Sequence, residues 1–237
     1  MQTDNVLTSE QTNYKFDIVK KSNVKPTFRV SKIMADFDVH SDHATEQFKG
    51  EIILPESWSI GMIVGGSGTG KSTIGFELFG NAMLDNFEYT STSVIDDMPK
   101  GDVEEIERMF YTVGFSSVPS WLKPYSVLSN GEKMRVDLAR KMLASDVIVF
   151  DEFTSVVDRQ VAKVMSIAIS KALKHYPNKK FVAIGCHYDV VEFLQPDWLF
   201  NTDEMKQVFQ YPHDPNKPSQ FENAVVTSGV NLGVITI

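Results

Sequence analysis

Nine consecutive residues, Gly65-Gly66-Ser67-Gly68-Thr69-Gly70-Lys71-Ser72-Thr73, hold the most informative chemistry in this chain. They fit G-x-x-x-x-G-K-[ST], a P-loop whose glycines let the backbone wrap an anion with its N–H groups turned inward. The anion that suits this spacing is a nucleoside triphosphate. Lys71 is placed to reach the β- and γ-phosphates, and Ser72 to offer its hydroxyl to Mg²⁺. A second group is Val147-Ile148-Val149-Phe150, four apolar residues running straight into Asp151 and Glu152. A buried strand ending this way can hold a hard cation through Asp151 while Glu152 polarises an attacking water. Alone, such a run is as often the start of a loop; downstream of a P-loop it reads as a hydrolytic centre. A third group, Leu128-Ser129-Asn130-Gly131-Glu132, opens an amphipathic helix with Met134, Leu138 and Met142 on one stripe. By itself it is a capped helix start, with Ser129 or Asn130 as the cap.

These groups need elements to position them. Ile60, Met62, Ile63 and Val64 predict a short buried strand into the P-loop. Ser72, Ile74, Phe76, Leu78 and Phe79 predict a helix out of it, with its positive N-terminal end toward the phosphates. From Asp146 onward, strand (147–150), helix (161–173) and strand (181–184) alternate, the pattern of a parallel sheet covered by helices. Further strands are expected at 27–33, 51–54 and 89–95. A helix is expected at 102–113, where Val103, Ile106, Met109 and Phe110 recur at helical spacing, with Asp102 as N-cap and Glu105 at the capping-box position. Pro119 and Pro124 mark 118–124 as a connector.

Residues 1–24 read as a polar lead-in containing Lys20-Lys21. The tail, 211–237, holds Pro212, Pro215 and Pro218 and ends in an apolar stretch, 230–237, that is either an edge strand or a loose end. His40 and His43 have no Cys nearby and no further His before His175, so a solvated turn is expected there rather than a metal site. A length of 237 residues with 42% hydrophobic residues fits one large α/β domain. The net charge of −8 argues against a broad basic surface for nucleic acid. The one cysteine, Cys186, has no internal disulfide partner, and no basic-then-apolar leader is present. No apolar run approaches the ~20 residues of a membrane span, so a cytoplasmic setting without a transmembrane segment is expected.

In combination the motifs resemble those of the ATP-binding-cassette (ABC) ATPases. Gly65 to Thr73 is similar to their Walker A, Leu128 to Glu132 to their signature motif, and Val147 to Glu152 to their Walker B with its catalytic glutamate. Thr154-Ser155-Val156-Val157-Asp158 matches the D-loop position, and His187 stands where the switch histidine belongs. Cys186-His187-Tyr188-Asp189-Val190, followed by Leu194-Gln195-Pro196-Asp197-Trp198, also resembles soluble ABC ATPases found alone or fused to acetyltransferase-like domains.

The resemblance implies a P-loop NTPase of ABC type in residues 25–210. Its expected fold is a central, mainly parallel sheet flanked by helices, with an N-terminal antiparallel β subdomain and a shortened helical subdomain at about 98–145. It further implies a MgATP hydrolase acting as an ATP-dependent, head-to-tail homodimer that drives an unknown protein or nucleic-acid partner. Each nucleotide would lie between one subunit's P-loop and the other's Ser129, Asn130, Gly131 and Glu132. Ser72 and Asp151 would hold Mg²⁺, Glu152 orient the water, His187 contact the γ-phosphate, and Asp158 couple the two sites. The alternatives are the ATPase subunit of a membrane transporter and a regulatory nucleotide-binding module with little turnover. Several positions depart from the family pattern. No glutamine lies between Ser72 and Leu128 to serve as the Q-loop, where Asp96 or Asp97 is the expected substitute and Asp96 a further candidate Mg²⁺ ligand. The segment between Walker A and the signature is short, Asn130 and Glu132 replace the usual Gly and Gln, and Phe37 is the expected adenine-stacking aromatic.

Overall fold

Alternating side chains build the first pair of elements. In the computed structural model, which describes residues 12–21, 27–38, 45–84, 87–99 and 101–209, strands β1 (Thr12–Lys21) and β2 (Thr45–Leu54) pair antiparallel along their whole length. Phe16, Phe48, Ile52 and Leu54 turn inward, while Lys49 meets Asp17 across the ladder at 3.6 Å on the exposed face. The segment 12–21 is thus a strand, although its polar composition reads as a lead-in. Only every second residue of a one-sided hairpin need be apolar, and few of these are. His40, His43 and the tail 211–237 with its apolar stretch lie outside the described residues.

Residues expected as a strand at 27–33 instead form helix α1 (Phe28–Asp36), and Thr27 is its N-cap, accepting a hydrogen bond from the N–H of Val30 at 3.3 Å. The β-branched Val30 and Ile33 suggest a strand, but the cap and the absence of any strand partner decide for the helix. No residue of α1 is buried.

The remaining elements are β3 (Ile60–Val64), α2 (Lys71–Phe79), α3 (Val103–Thr112), α4 (Val118–Trp121), α5 (Asn130–Ala144), β4 (Val147–Phe150), α6 (Arg159–Leu173), β5 (Lys180–Gly185), α7 (Val191–Leu194), β6 (Trp198–Asn201) and β7 (Lys206–Phe209). Strands order as β4-β5-β3-β6-β7, parallel except for the terminal β6/β7 pair. Each apolar run divides between two cores. Met62, Val64, Ile148, Phe181, Ala183 and Leu199 face one side with α3, α5 and α6; Ile63, Val149, Val182, Ile184, Trp198 and Phe200 face the other with Ile74 of α2 and the β1/β2 hairpin. A sheet covered on both faces has apolar residues at every position, which is why these runs are continuous in the sequence. The hairpin is tied to the sheet edge by Gln207, whose amide both accepts from the N–H of Ile53 and donates to its carbonyl at 2.6 Å.

The expected strand at 89–95 is absent. Asp97, buried, accepts from the N–H groups of Thr90 and Ser91, and the N–H groups of Val94 and Ile95 donate to the carbonyls of Lys123 and Trp121. Polar side chains in this Ser/Thr/Asp-rich stretch capture backbone groups that a ladder would otherwise use. Within the expected connector 118–124, α4 is one helical turn with Pro119 in its first turn, a position where proline's missing N–H is harmless. Asp102 caps α3 as expected, but its bond goes to the N–H of Glu104 and no capping box forms with Glu105.

Candidate functional site

The parallel strands end together at one edge. Val64 of β3 lies opposite Gly185 of β5, and Phe150 of β4 opposite Ala183, so Gly65, Asp151 and the segment after Gly185 emerge side by side. With strands about 4.8 Å apart and β5 between β3 and β4, the P-loop and the Asp151 turn stand roughly 10 Å from each other. The carboxyl edge of a parallel sheet is where open α/β folds bind ligands. Distant residues 65–73, 151–152 and 187 are thereby gathered into one crest.

The P-loop holds its shape through glycine geometry and a buried cation. Gly70, the N-cap of α2, has φ 87°, and a Cβ there would lie 2.5 Å from the ring of Phe48. Both the left-handed conformation and the space require glycine. A Cβ on Gly65 would strike the Thr202 hydroxyl at 2.1 Å. Lys71 is buried and donates to the carbonyl of Gly66 at 2.5 Å, and the Thr69 hydroxyl donates to the same oxygen at 2.9 Å. An ammonium enclosed by a glycine loop at the start of a nine-residue helix is a strong anion receptor. Ser72 and Thr73 follow on the first turn of that helix, with Ser72 exposed.

Past β4, the chain turns through two left-handed residues, Glu152 (φ 53°) and Thr154 (φ 65°). Such φ values in non-glycine residues cost on the order of 1–3 kcal/mol each and persist where the surroundings enforce them. Here the enforcing contact is Phe153, buried between the Phe150 and Phe181 rings with its N–H bonded to the carbonyl of Ile184 at 2.8 Å. Glu152 consequently points into solvent, and its carboxylate accepts from the Ser155 hydroxyl at 2.6 Å. One Asp151 oxygen accepts the N–H of Glu152 at 2.9 Å. The second carries no hydrogen bond among the described residues. Asp151 and the Ser72 hydroxyl are hard oxygen donors on adjoining parts of the crest, and a few such donors suit Mg²⁺, which keeps several waters and phosphate oxygens in its shell. Asp158 caps α6, accepting from the N–H groups of Gln160 and Val161 at 2.9 and 3.0 Å. His187 is half-buried, two residues beyond β5.

Ser129, not Asn130, caps α5, in a full capping box with Glu132. The Glu132 carboxylate accepts from the Ser129 N–H (2.9 Å), the Ser129 hydroxyl (2.8 Å) and the Ser120 hydroxyl (2.8 Å). The bond from the Ser129 backbone, then that from Ser120, holds its carboxyl below the usual glutamate value. Its negative charge is therefore directed into the helix start. Glu132→Ala is expected to lower unfolding free energy by about 1 kcal/mol at neutral pH. Because the folded-state carboxyl titrates below the unfolded one, that contribution is complete above the unfolded value and disappears as pH falls through the folded one. Denaturant titrations of both proteins across the acid range would show the gap closing; a gap that persists in acid would mean that the carboxylate's charge is not what stabilises the helix start.

Three further expected residues show other contacts or an exposed position. The oxygens of Asp97 are occupied by the Thr90 and Ser91 amides, Asp96 takes the Ser93 hydroxyl, and no hydrogen bond or ion pair links either acid to the P-loop among the described residues. Phe37 is 71% exposed at the C-terminal end of α1. Phe48, a core residue, lies against Gly70 of the P-loop. Sequence reasoning also missed Thr202 and Asp203, although Trp198-Leu199-Phe200 running toward Asp203-Glu204 repeats the pattern of apolar strand into acids that identified Asp151 and Glu152. Within Leu194 to Trp198, Asp197 accepts from the N–H groups of Ser59 and Ile60 and fixes the start of β3.

No protein-family model and no curated protein matches the sequence. Solved structures do. The chain is similar to cbiO1 from Clostridium perfringens, part of the ABC transporter complex cbiONQ, at 21% identity and a TM-score of 0.56, covering 83% of this chain and 92% of that one. It is also similar to the dimeric bacterial ABC transporter cassette MJ0796, at 14% identity and a TM-score of 0.52 over 66% of this chain and 87% of that one. The dimeric post-hydrolysis state of MJ0796 bound to ADP and Pi gives 14% identity and a TM-score of 0.53, covering 71% and 94%. The fold of this chain is that of an ATP-binding cassette.

Proposed function

We propose that this chain binds MgATP at Gly65 to Thr73 and hydrolyses it in a head-to-tail homodimer whose closing and opening drive a partner. The observation that carries this reading is the convergence of the P-loop, the Asp151-Glu152 turn and His187 on one edge of a sheet with the cassette fold.

Lys71 exchanges the Gly66 carbonyl for the β- and γ-phosphates, and the loop amides and the α2 N-terminus take the rest of the anion's charge. Mg²⁺, when bound, would be held by Ser72 and Asp151 and would neutralise phosphate charge during the reaction. Glu152, held outward by the Phe153 anchor, orients the attacking water and accepts its proton as the water oxygen bonds to the γ-phosphorus and the bond to the bridging β,γ-oxygen breaks, with ADP leaving on that oxygen. His187 contacts the γ-phosphate. Ser129, Asn130 and Gly131 of the second copy approach the same phosphate with the helix N-terminus of α5, while Glu132 keeps its charge in the capping box. Asp158, at the head of α6, lies where the two copies meet. The dimer is then the two-state element, with the γ-phosphate as the ligand that favours its closed form.

Phosphate release from ATP, measured with and without Mg²⁺, tests the reading: Mg²⁺-dependent turnover supports it, and tight ATP binding without turnover would favour a regulatory module. The structural relatives named above are transporter cassettes, which favours a second reading as the ATPase subunit of a membrane transporter. No helix among the described residues is long and apolar enough to cross a membrane. Co-sedimentation with membranes from the expressing cells, resistant to salt, would support the transporter reading.

A further inference from the structure

Asp203 joins parts of the crest that are far apart in the chain. Its Oδ1 accepts from the N–H of Gly66 at 2.9 Å, and its Oδ2 from the Tyr188 hydroxyl at 3.0 Å. The turn presenting it is firmly seated. Asn201 Oδ1 accepts the N–H of Asp203 at 2.9 Å, and buried Thr202 bonds through its N–H to the Val64 carbonyl at 2.8 Å and through its hydroxyl to that of Thr69 at 2.5 Å. Tyr188 follows His187 and precedes Asp189, whose two oxygens take Nε and Nη2 of Arg159 at 2.8 and 2.5 Å. Arg159 in turn follows Asp158 and reaches the carbonyl of Thr154 at 3.4 Å. One polar line therefore runs from the P-loop through the His187 segment to the head of α6.

The energetics favour a positional role for this line over a stabilising one. Arg159 and Asp189 are 40% and 50% exposed, and pairs so placed contribute about 0–1 kcal/mol to stability. Their two-point geometry is nevertheless specific in direction. A carboxylate beside a phosphate-binding loop also works against an incoming anion, so stability and affinity alone do not explain its presence there. Burial, then the bond to Asp203, raises the titration of the Tyr188 hydroxyl, which keeps it a donor throughout the physiological range.

We propose that Asp203 is a positioning residue that holds the first turn of the P-loop and the His187 segment in one register and, through Asp189 and Arg159, ties that register to the helix following Asp158. Its effect on turnover rests on the ATPase reading above; the linkage itself rests on geometry alone.

Tyr188→Phe removes one hydroxyl and leaves the ring and the bond between Gly66 and Asp203 in place. It is expected to lower kcat about five- to tenfold with KM for ATP within about twofold, and to shift Tm by no more than about 2 °C. The double variant Tyr188→Phe/Asp203→Ala should be no slower than Asp203→Ala, since both cut the same link. Hydrogen exchange on nucleotide-free protein provides the second arm. In Tyr188→Phe, amides of 62–70 should exchange faster together with those of 186–190. Acceleration confined to 186–190 overturns the linkage, and unchanged kcat in Tyr188→Phe overturns the positioning role. A wild type without turnover counts against the ATPase reading alone, and the exchange arm then decides the linkage.

Discussion

Glu152→Gln accumulates as an ATP-dependent dimer whose turnover is at least about 100-fold below that of wild type, the loss expected when a positioned general base is removed. The amide keeps the size of the side chain and can still accept from the Ser155 hydroxyl, so the left-handed turn around Phe153 is retained. Missing is the charge that polarises the water. ATP then stays intact between the two copies, and light scattering with Mg²⁺ and ATP reads a doubled mass, while wild type is mainly monomeric or in rapid exchange. Adding Ser129→Arg places a bulky cation in the facing phosphate site and should restore the monomer. Ser129 is also the N-cap of α5, so this substitution costs about 1 kcal/mol of helix stability, and a thermal melt must show the variant folded. A Glu152→Gln protein that binds ATP yet remains monomeric would refute the head-to-tail dimer; unchanged hydrolysis would move the base elsewhere.

Lys71→Ala loses at least about 30-fold in ATP affinity, because a buried charge that pairs with the β- and γ-phosphates is replaced by backbone dipoles alone. The loop itself should survive. The Gly66 carbonyl keeps its bond from the Thr69 hydroxyl, and Thr202 still packs under Gly65. Calorimetric titration with MgATP measures the loss, with an unchanged melting temperature as the control. Full affinity in this variant would remove the P-loop reading and with it the assignment of the whole crest.

Local signals in the sequence identified several elements, though not the helix at 28–36 or the fate of the Asp102 cap. The glycine spacing of 65–73, the apolar runs at 60–64, 147–150 and 181–184, and the helix start at Ser129 or Asn130 each involve neighbours within a few residues, and backbone conformation there follows from side-chain type. Hence the parallel sheet, the P-loop helix and the acids ending β4 were all legible, as was the cassette resemblance that their order carries. Elements whose state depends on a distant partner were not. Residues 12–21 become a strand only because β2 lies beside them, and 89–95 fail to be one because Asp97 and the 121–123 carbonyls claim their N–H groups. In the same way, Asp97 reads in sequence as a possible substitute for the missing glutamine, while in the fold its carboxylate already has partners.

What the sequence determined by itself is the chemistry: a phosphate loop, two acids at a strand end, and a capped helix start, each defined by residues a few positions apart. Only the tertiary structure decided which groups meet. Gly66 and Asp203 are separated by 137 positions and share a hydrogen bond because β3 and β6 are neighbours in the sheet. Glu152 faces solvent because Phe153 is anchored between rings from β4 and β5. Strand order and packing set these meetings, and neither leaves a periodic trace along the chain.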